Sequence, residues 1–241
     1  MSDTKIRVTV DGVEIETQRG RTILEAAEEA GIYIPRLCAH PELEAFGACR
    51  VCTVKVNGRP QAACTTPASE GMLIENDTPE LLEYRRSLIE MLFVEGNHFC
   101  MFCERSGHCE LQALAYRFGI VVPRHEYQFP SRTLDGSHPE VFLDRNRCIL
   151  CGRCVRASRD VDGKHVFDFV GRGREKRIWI DAEERLADTP LKGDDRAVSI
   201  CPVGAILRKG TAYRTPIGRR PYDRAPIGSD IEARRAAERK G

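Results

Sequence analysis

No apolar run in the sequence approaches the roughly 18 residues that a membrane-spanning helix needs. Met91 to Val94 and Gly119 to Val122 are the best candidates, and both are far too short. Met1 to Thr9 lacks a basic region followed by an apolar stretch, so no export signal is expected. Net charge is scarce too: 37 Lys and Arg stand against 36 Asp and Glu, which argues against nucleic-acid binding by the chain as a whole. No Gly-x-Gly-x-x-Gly follows a strand pattern, because Gly171-Arg-Gly173-Arg lacks the third glycine and its helix, and there is no P-loop. The chain therefore has no flavin, nicotinamide or nucleotide site of its own. These absences predict a cytoplasmic chain with no catalytic residues, whose chemistry depends on something it carries.

What the sequence does have is cysteine, eleven in all. In a cytosolic protein thiols stay reduced, and clustered cysteines more often bind metal than pair with one another. The odd count also leaves one thiol over in any disulfide scheme.

Local patterning sets out the framework for these cysteines. Ile6 to Val10 alternates, Asp11-Gly12 is a hairpin turn, and Val13 to Thr17 alternates again. Thr22 and Glu25 form a capping box for a short helix over Ile23 to Ala30, stopped by Gly31. Val51 to Val56 reads as a strand, Asn57-Gly58 as a second hairpin turn, and Leu73-Ile74 as a closing strand. Two hairpins around one helix describe a β-grasp sheet. Thr78-Pro79 then opens a second helix, with Leu81, Leu82, Leu88, Ile89, Leu92 and Phe93 on one face. Glu83, Arg85, Arg86 and Glu90 mark its other, polar face, and Gly96 ends it. A third helix is expected near Glu110 to Phe118, with Leu111, Leu114 and Phe118 inward. From about Arg124 the chain turns loop-rich, with a strand around Ile178 to Ile180. From Arg208 to Gly241, ten Lys or Arg face four Asp or Glu. This Pro-, Gly- and Arg-rich end is read either as disordered or, preferably, as an arm that orders on a partner subunit.

The cysteines fall into three groups. Cys38, Cys49, Cys52 and Cys64 are spaced C-x10-C-x2-C-x11-C and lie within the β-grasp segment. A central C-x2-C with two single cysteines suits [2Fe–2S], whereas a four-cysteine zinc site usually uses two close pairs. Gly47 and Ala48, being small, would let backbone amides approach the sulfurs.

Cys100, Cys103 and Cys109 leave one iron of a [4Fe–4S] cube unliganded. His98 is the favoured fourth ligand; His108 is adjacent to Cys109, so both could bind one cube only with strain. A site with three cysteines and an open iron is the other reading.

Cys148, Cys151 and Cys154 with the remote Cys201-Pro202 follow the bacterial ferredoxin pattern for [4Fe–4S]. Ser158 stands where a second cluster's cysteine would be, so this module holds one cube. Arg145, Arg147, Arg153, Arg156 and Arg159 surround the triplet, either offsetting thiolate charge or forming a basic face that is solvated or docks a partner. Three clusters need twelve ligands, and eleven cysteines with one histidine supply them. The remaining histidines, at 40, 125, 138 and 165, are scattered and read as structural or exposed.

The reading is thus an α+β chain in four parts. An N-terminal β-grasp [2Fe–2S] ferredoxin-like domain covers 1–77, and a small helical [4Fe–4S] module with one His and three Cys ligands covers 78–123. A loop-rich bacterial-ferredoxin-like [4Fe–4S] domain covers 124–212, and an extended Pro/Arg-rich tail covers 213–241.

Over about residues 1 to 212 the chain resembles the iron–sulfur small subunit of the diaphorase half of soluble NAD-reducing [NiFe]-hydrogenases. That family is related to the N-terminal part of the large NADH-dehydrogenase subunit of complex I. The resemblance is carried by Glu95-Gly-Asn-His-Phe-Cys100, by Cys109-Glu-Leu-Gln-Ala-Leu-Ala-Tyr-Arg-Phe-Gly119, and by the triplet with Cys201-Pro202. In complex I the cluster histidine stands four residues before the first cysteine; here that position is Gly96, and the histidine is two before. The resemblance implies a non-catalytic electron-transfer subunit of an oxidoreductase complex. Its partners would be a flavin- and NAD-binding diaphorase subunit and the hydrogenase small and large subunits, in a hetero-oligomer. The same relay in a formate dehydrogenase or NADH dehydrogenase, or a zinc-stapled scaffold, are the alternatives.

Overall fold

The computed structural model describes residues 5–181 and 185–238, which leaves the first four residues, three in the third part and the last three of the tail outside the described residues. Strands β1 (Lys5–Val10) and β2 (Val13–Gln18) pair antiparallel through a turn in which Asp11 and Gly12 both take positive φ, as such a hairpin requires. Helix α1 (Ile23–Glu29) starts at the Thr22–Glu25 capping box and buries Ile23, Leu24, Ala26 and Ala27. Strands β3 (Thr53–Val56) and β4 (Arg59–Ala62) form the second hairpin, again through two positive-φ residues, Asn57 and Gly58. Strand β5 (Leu73–Glu75) inserts between β1, which it parallels, and β3. The sheet order is β2-β1-β5-β3-β4, so Pro60 lies on an edge strand, where its missing N–H is tolerated. Strand β3 begins two residues later than the pattern suggests, because Arg50 is left-handed and Val51-Cys52 belongs to the cysteine loop.

Helix α2 (Pro79–Val94) is capped by Thr78, whose hydroxyl accepts from the Leu81 amide. Its polar face is not where periodicity puts it. Arg85 is 2% exposed and Glu90 1%, while Leu82, Leu88, Leu92 and Phe93 are only partly covered. Arg85 turns inward because carbonyls wait there: its guanidinium donates to Asn76 O at 2.8 Å, Asn76 Oδ1 at 2.8 Å and Thr53 O at 2.9 Å. Glu90 accepts two bonds from Arg124 Nε, at 3.0 and 2.9 Å. Helix α3 (Glu110–Arg117) buries Leu111 and Leu114 as expected, with Phe118 half-buried.

The third part builds a small sheet, β6 (Leu134–Asp135), β7 (Val141–Asp144) and β10 (Ile206–Arg208), with β7 central. A hairpin of β8 (Phe167–Val170) and β9 (Arg177–Ile180) packs beside the short helix α4 (Arg153–Arg156). Helix α5 (Arg196–Ser199) leads into Cys201.

Among the described residues two hydrophobic cores result. One is confined to the β-grasp sheet and α1; the other runs continuously from Leu37 and Val51 through α2 and α3 to β7, β9 and Val203. The helical and ferredoxin-like parts therefore share a core.

The tail is not extended throughout. It ends in a helix, α6 (Ser229–Glu238), and folds back on its own chain. Ile231 is buried, Arg117 donates to Ile227 O at 2.8 Å and pairs with Glu232, and Gly228 lies flat on the Tyr33 ring. Among the described residues no helix is long and apolar enough to cross a membrane.

Candidate metal centres

Among the described residues no three such donors are set to hold a single metal ion, but the members of each cysteine group are neighbours. Cys38, Cys49 and Cys52 lie on the irregular stretch between α1 and β3, and Cys64 follows β4. The Cys38 amide donates to Cys49 Sγ at 3.4 Å, and the amides of Cys49 and Ala48 point at Cys38 Sγ. The thiol groups of Cys49 and Cys64 hydrogen-bond to Cys38 and, with these amides, hold its thiol far below the ordinary range. Such amide donors stabilise negative sulfur. Left-handed backbone at Gly47 and Arg50 turns the loop around the site; a side chain at 47 would press on Thr65 at 3.1 Å.

In the middle group Cys109 caps α3, its sulfur accepting from the Gln112 amide at 3.5 Å. The positive end of a helix thus faces a thiol that burial pushes up to about 12. Cys100 and Cys103 are its electrostatic neighbours. Arg147 Nη1 reaches Cys103 Sγ at 3.7 Å. A Cβ at Gly204 would stand 2.8 Å from Cys103 Sγ, so no larger residue fits without displacing the sulfur.

The two candidate histidines differ sharply. His98 Nε2 is buried and has no hydrogen-bond partner, while the ring bonds to the Leu92 backbone, which must involve Nδ1. Burial lowers its pKa to about 4, helped by Arg147 and Arg132, so the ring is neutral with an available lone pair. His138, also buried, is fully satisfied by Leu191 O and two backbone amides. His108 is half-exposed and has no such orphaned nitrogen. The ring of His98 lies directly against Gly96, in the space that a side chain at 96 would need. A histidine two residues before Cys100 thus delivers its imidazole next to the position four residues before it.

Cys148, Cys151, Cys154 and Cys201 line one pocket, closed by Leu143, Ile149, Ile178, Val203 and Ile206. Burial raises the thiols of the first three. Leu150 and Gly152, both at positive φ, wrap the loop around it, and the Leu150 amide donates to Cys148 Sγ at 3.4 Å. Cys201 is tied to the middle group: Pro202 O accepts from the Glu110 amide at 2.8 Å, and Arg105 donates to Cys201 O at 3.2 Å. Ser158 is buried and accepts from the Val166 amide at 2.8 Å, which is a structural role.

The donor chemistry fits iron–sulfur groups: buried thiols in three sets, amides aimed at sulfur, an apolar pocket walled by four cysteines, and one orphaned imidazole nitrogen. The arginines around the triplet are no solvated face, since Arg145, Arg153 and Arg156 are buried and only Arg159 is exposed. Sequence reasoning missed Arg85, Glu90 and Gly204, which carry no local signal; contact with a distant segment gives each its role.

Residues 3–79 match the family of 2Fe-2S iron-sulfur cluster binding domains. Residues 85–124 match the NADH-ubiquinone oxidoreductase-G iron-sulfur binding region, and 138–207 the ferredoxin-like domain of NADH-quinone oxidoreductase subunit 3. The chain is 47% identical over 219 residues to the gamma subunit of the NAD-reducing hydrogenase HoxS of Cupriavidus necator, covering 90% of this chain and 93% of that protein. It is 38% identical over 239 residues to the G subunit of NADH-quinone oxidoreductase of Mycobacterium bovis, of which it spans only 28%. A crystal structure of an NAD+-reducing [NiFe]-hydrogenase in the H2-reduced state contains a chain with TM-score 0.91 and 47% identity, over 95% of this chain and 98% of that one.

Proposed function

The chain belongs to the family of the gamma subunit of the NAD-reducing hydrogenase HoxS, and on that premise we propose that it relays single electrons between a hydrogen-oxidising [NiFe] module and a flavin subunit that reduces NAD+. The relay runs in either direction. The observation that carries this reading is the near full-length likeness to a hydrogenase subunit, together with three groups of neighbouring cysteines. Cys38, Cys49, Cys52 and Cys64 would hold [2Fe–2S]. His98 with Cys100, Cys103 and Cys109 would hold one [4Fe–4S], and Cys148, Cys151, Cys154 and Cys201 the other.

When bound, such clusters take up and release electrons one at a time, at potentials set by charge, exposure and hydrogen bonds to sulfur. The chain's own residues set those conditions. Amides of Ala48 and Cys49 and the N-terminus of α3 stabilise charge on sulfur, and the apolar wall of the Cys201 pocket keeps water out. The orphaned Nε2 of His98 supports a neutral ligand in place of a thiolate, which raises that site's potential. A two-electron hydrogen centre and a two-electron hydride carrier need such a one-electron link between them. The subunit works in the cytoplasm, inside a hetero-oligomer with the diaphorase flavin subunit and the hydrogenase small and large subunits.

The likeness to an NADH-quinone oxidoreductase favours one second reading, the same relay in a formate or NADH dehydrogenase. Metal analysis of the anaerobically purified complex separates the readings. Iron, acid-labile sulfide and nickel are expected. Molybdenum or tungsten instead of nickel would favour the second reading, and a colourless, zinc-loaded chain would overturn both.

A further inference from the structure

Arg156 is 4% exposed and has no carboxylate partner among the described residues. Its guanidinium donates only to backbone carbonyls: Gly152 O at 3.2 Å, Cys38 O at 2.6 Å, Cys151 O at 3.4 Å, and Glu44 O. Cys38 belongs to the first ligand group and Cys151 to the third. The Phe46 ring covers the cation at 5.3 Å. The charged or titratable groups it feels most are Cys151, Cys38, Arg153 and Cys154, which are three thiols and a like charge. Arg153, one turn away, is different: both its terminal nitrogens reach Glu110, at 2.6 and 2.7 Å, so its charge is already balanced.

A buried guanidinium without an anion is costly, and proteins do not keep one unless a negative charge stands nearby. Around Arg156 the largest sources of negative charge are the thiols of two ligand groups; the Asp160 carboxylate, one turn on, also feels it but is already held by Arg159. Four thiolates outweigh the positive charge of the iron–sulfur unit they hold, so both sites are net negative in either redox state. A fixed cation in the dry space between them stabilises the extra electron at each.

We propose that Arg156 is the shared counter-charge of the first and third ligand groups, a positioning residue that raises the reduction potential of both with one cation. The inference rests on the iron–sulfur reading above. Arg85 provides an internal comparison. It is a second buried arginine without an ion-pair partner among the described residues, bonded to Thr53 O beside Cys52; the groups it feels most are Cys52, Asp77 and Asp11, with no cysteine of the third group among them.

The test is a redox titration of the intact complex followed by electron paramagnetic resonance. In Arg156→Gln the [2Fe–2S] signal and the Cys201-group [4Fe–4S] signal should both shift to lower potential. The expected change is about tenfold in the reduced-to-oxidised ratio, or ~59 mV for a one-electron couple. The middle cluster should stay in place, and Arg85→Gln should lower the first potential alone. Full-intensity signals at unchanged potentials, or a shift confined to one cluster, would overturn the proposal. Should Arg156→Gln fail to take up clusters, Arg156→Lys is read instead. Its shorter side chain moves the charge, so at least one of the two potentials must shift, and two unshifted potentials overturn the idea. Absence of any iron–sulfur signal in the unaltered complex would instead refute the underlying reading.

Discussion

Gly96 and His98 share one small volume, and that arrangement decides what the middle site can bind. With Nδ1 engaged by the Leu92 backbone, Nε2 is the nitrogen left to bind. Replacing His98 with Cys should put a thiolate where a neutral ring stood and lower that cluster's potential, as read by redox-poised spectra. An unchanged potential would move the assignment to His108. Gly204 is tied to the same site from far along the chain. Gly204→Ala should displace Cys103 Sγ and weaken iron retention at that site by about 10–100-fold, read as lower iron per chain after dilution with a chelator. Iron at the level of the unaltered chain would mean that the loop gives way without cost. The three cysteine groups were legible because spacing along the chain encodes them. Gly204 was not, because its constraint comes from Cys103, which only folding brings beside it.

At the scale of elements, α2 shows how periodicity misleads when the core contains polar groups. Arg85 lies one turn from both Leu81 and Ile89, so it falls on the buried stripe despite its charge. Its head is accepted there by Thr53 O, beside Cys52, and by both oxygens of Asn76, just after β5. Glu90 depends on Arg124, which reaches in from the connection after α3. Arg124→Ala leaves a buried carboxylate without its main donor and should destabilise the chain. Arg124 is half in solvent, so water can replace part of what is lost. Urea unfolding checks it: the midpoint should fall with the slope unchanged. The hairpins, both capped helices and the strand at 177–180 were readable from turn residues and caps, which act locally. The burial of Arg85 and Glu90 was not, because their partners lie in other segments.

At the scale of the molecule, the last element closes on the first unit. A tail with few apolar residues cannot make a core, yet it can borrow one: Ile231 is buried, and Gly228 admits the Tyr33 ring where a side chain would collide. The helix of this basic tail lies on the chain itself, against Gly31 and Arg117. Deleting residues 229–241 should leave all three cluster spectra intact while making the segment around Gly31 to Arg36 sensitive to limited proteolysis. A cleavage pattern like that of the full chain would mean the helix adds no protection.

That closure has a consequence in time. Synthesis delivers the β-grasp unit before α6, with the two other cysteine groups between them. At roughly 5–20 residues per second, the face around Tyr33 stays bare for many seconds while the rest is made. Until then the Tyr33 ring and Gly31, which Gly228 and α6 later cover, face water.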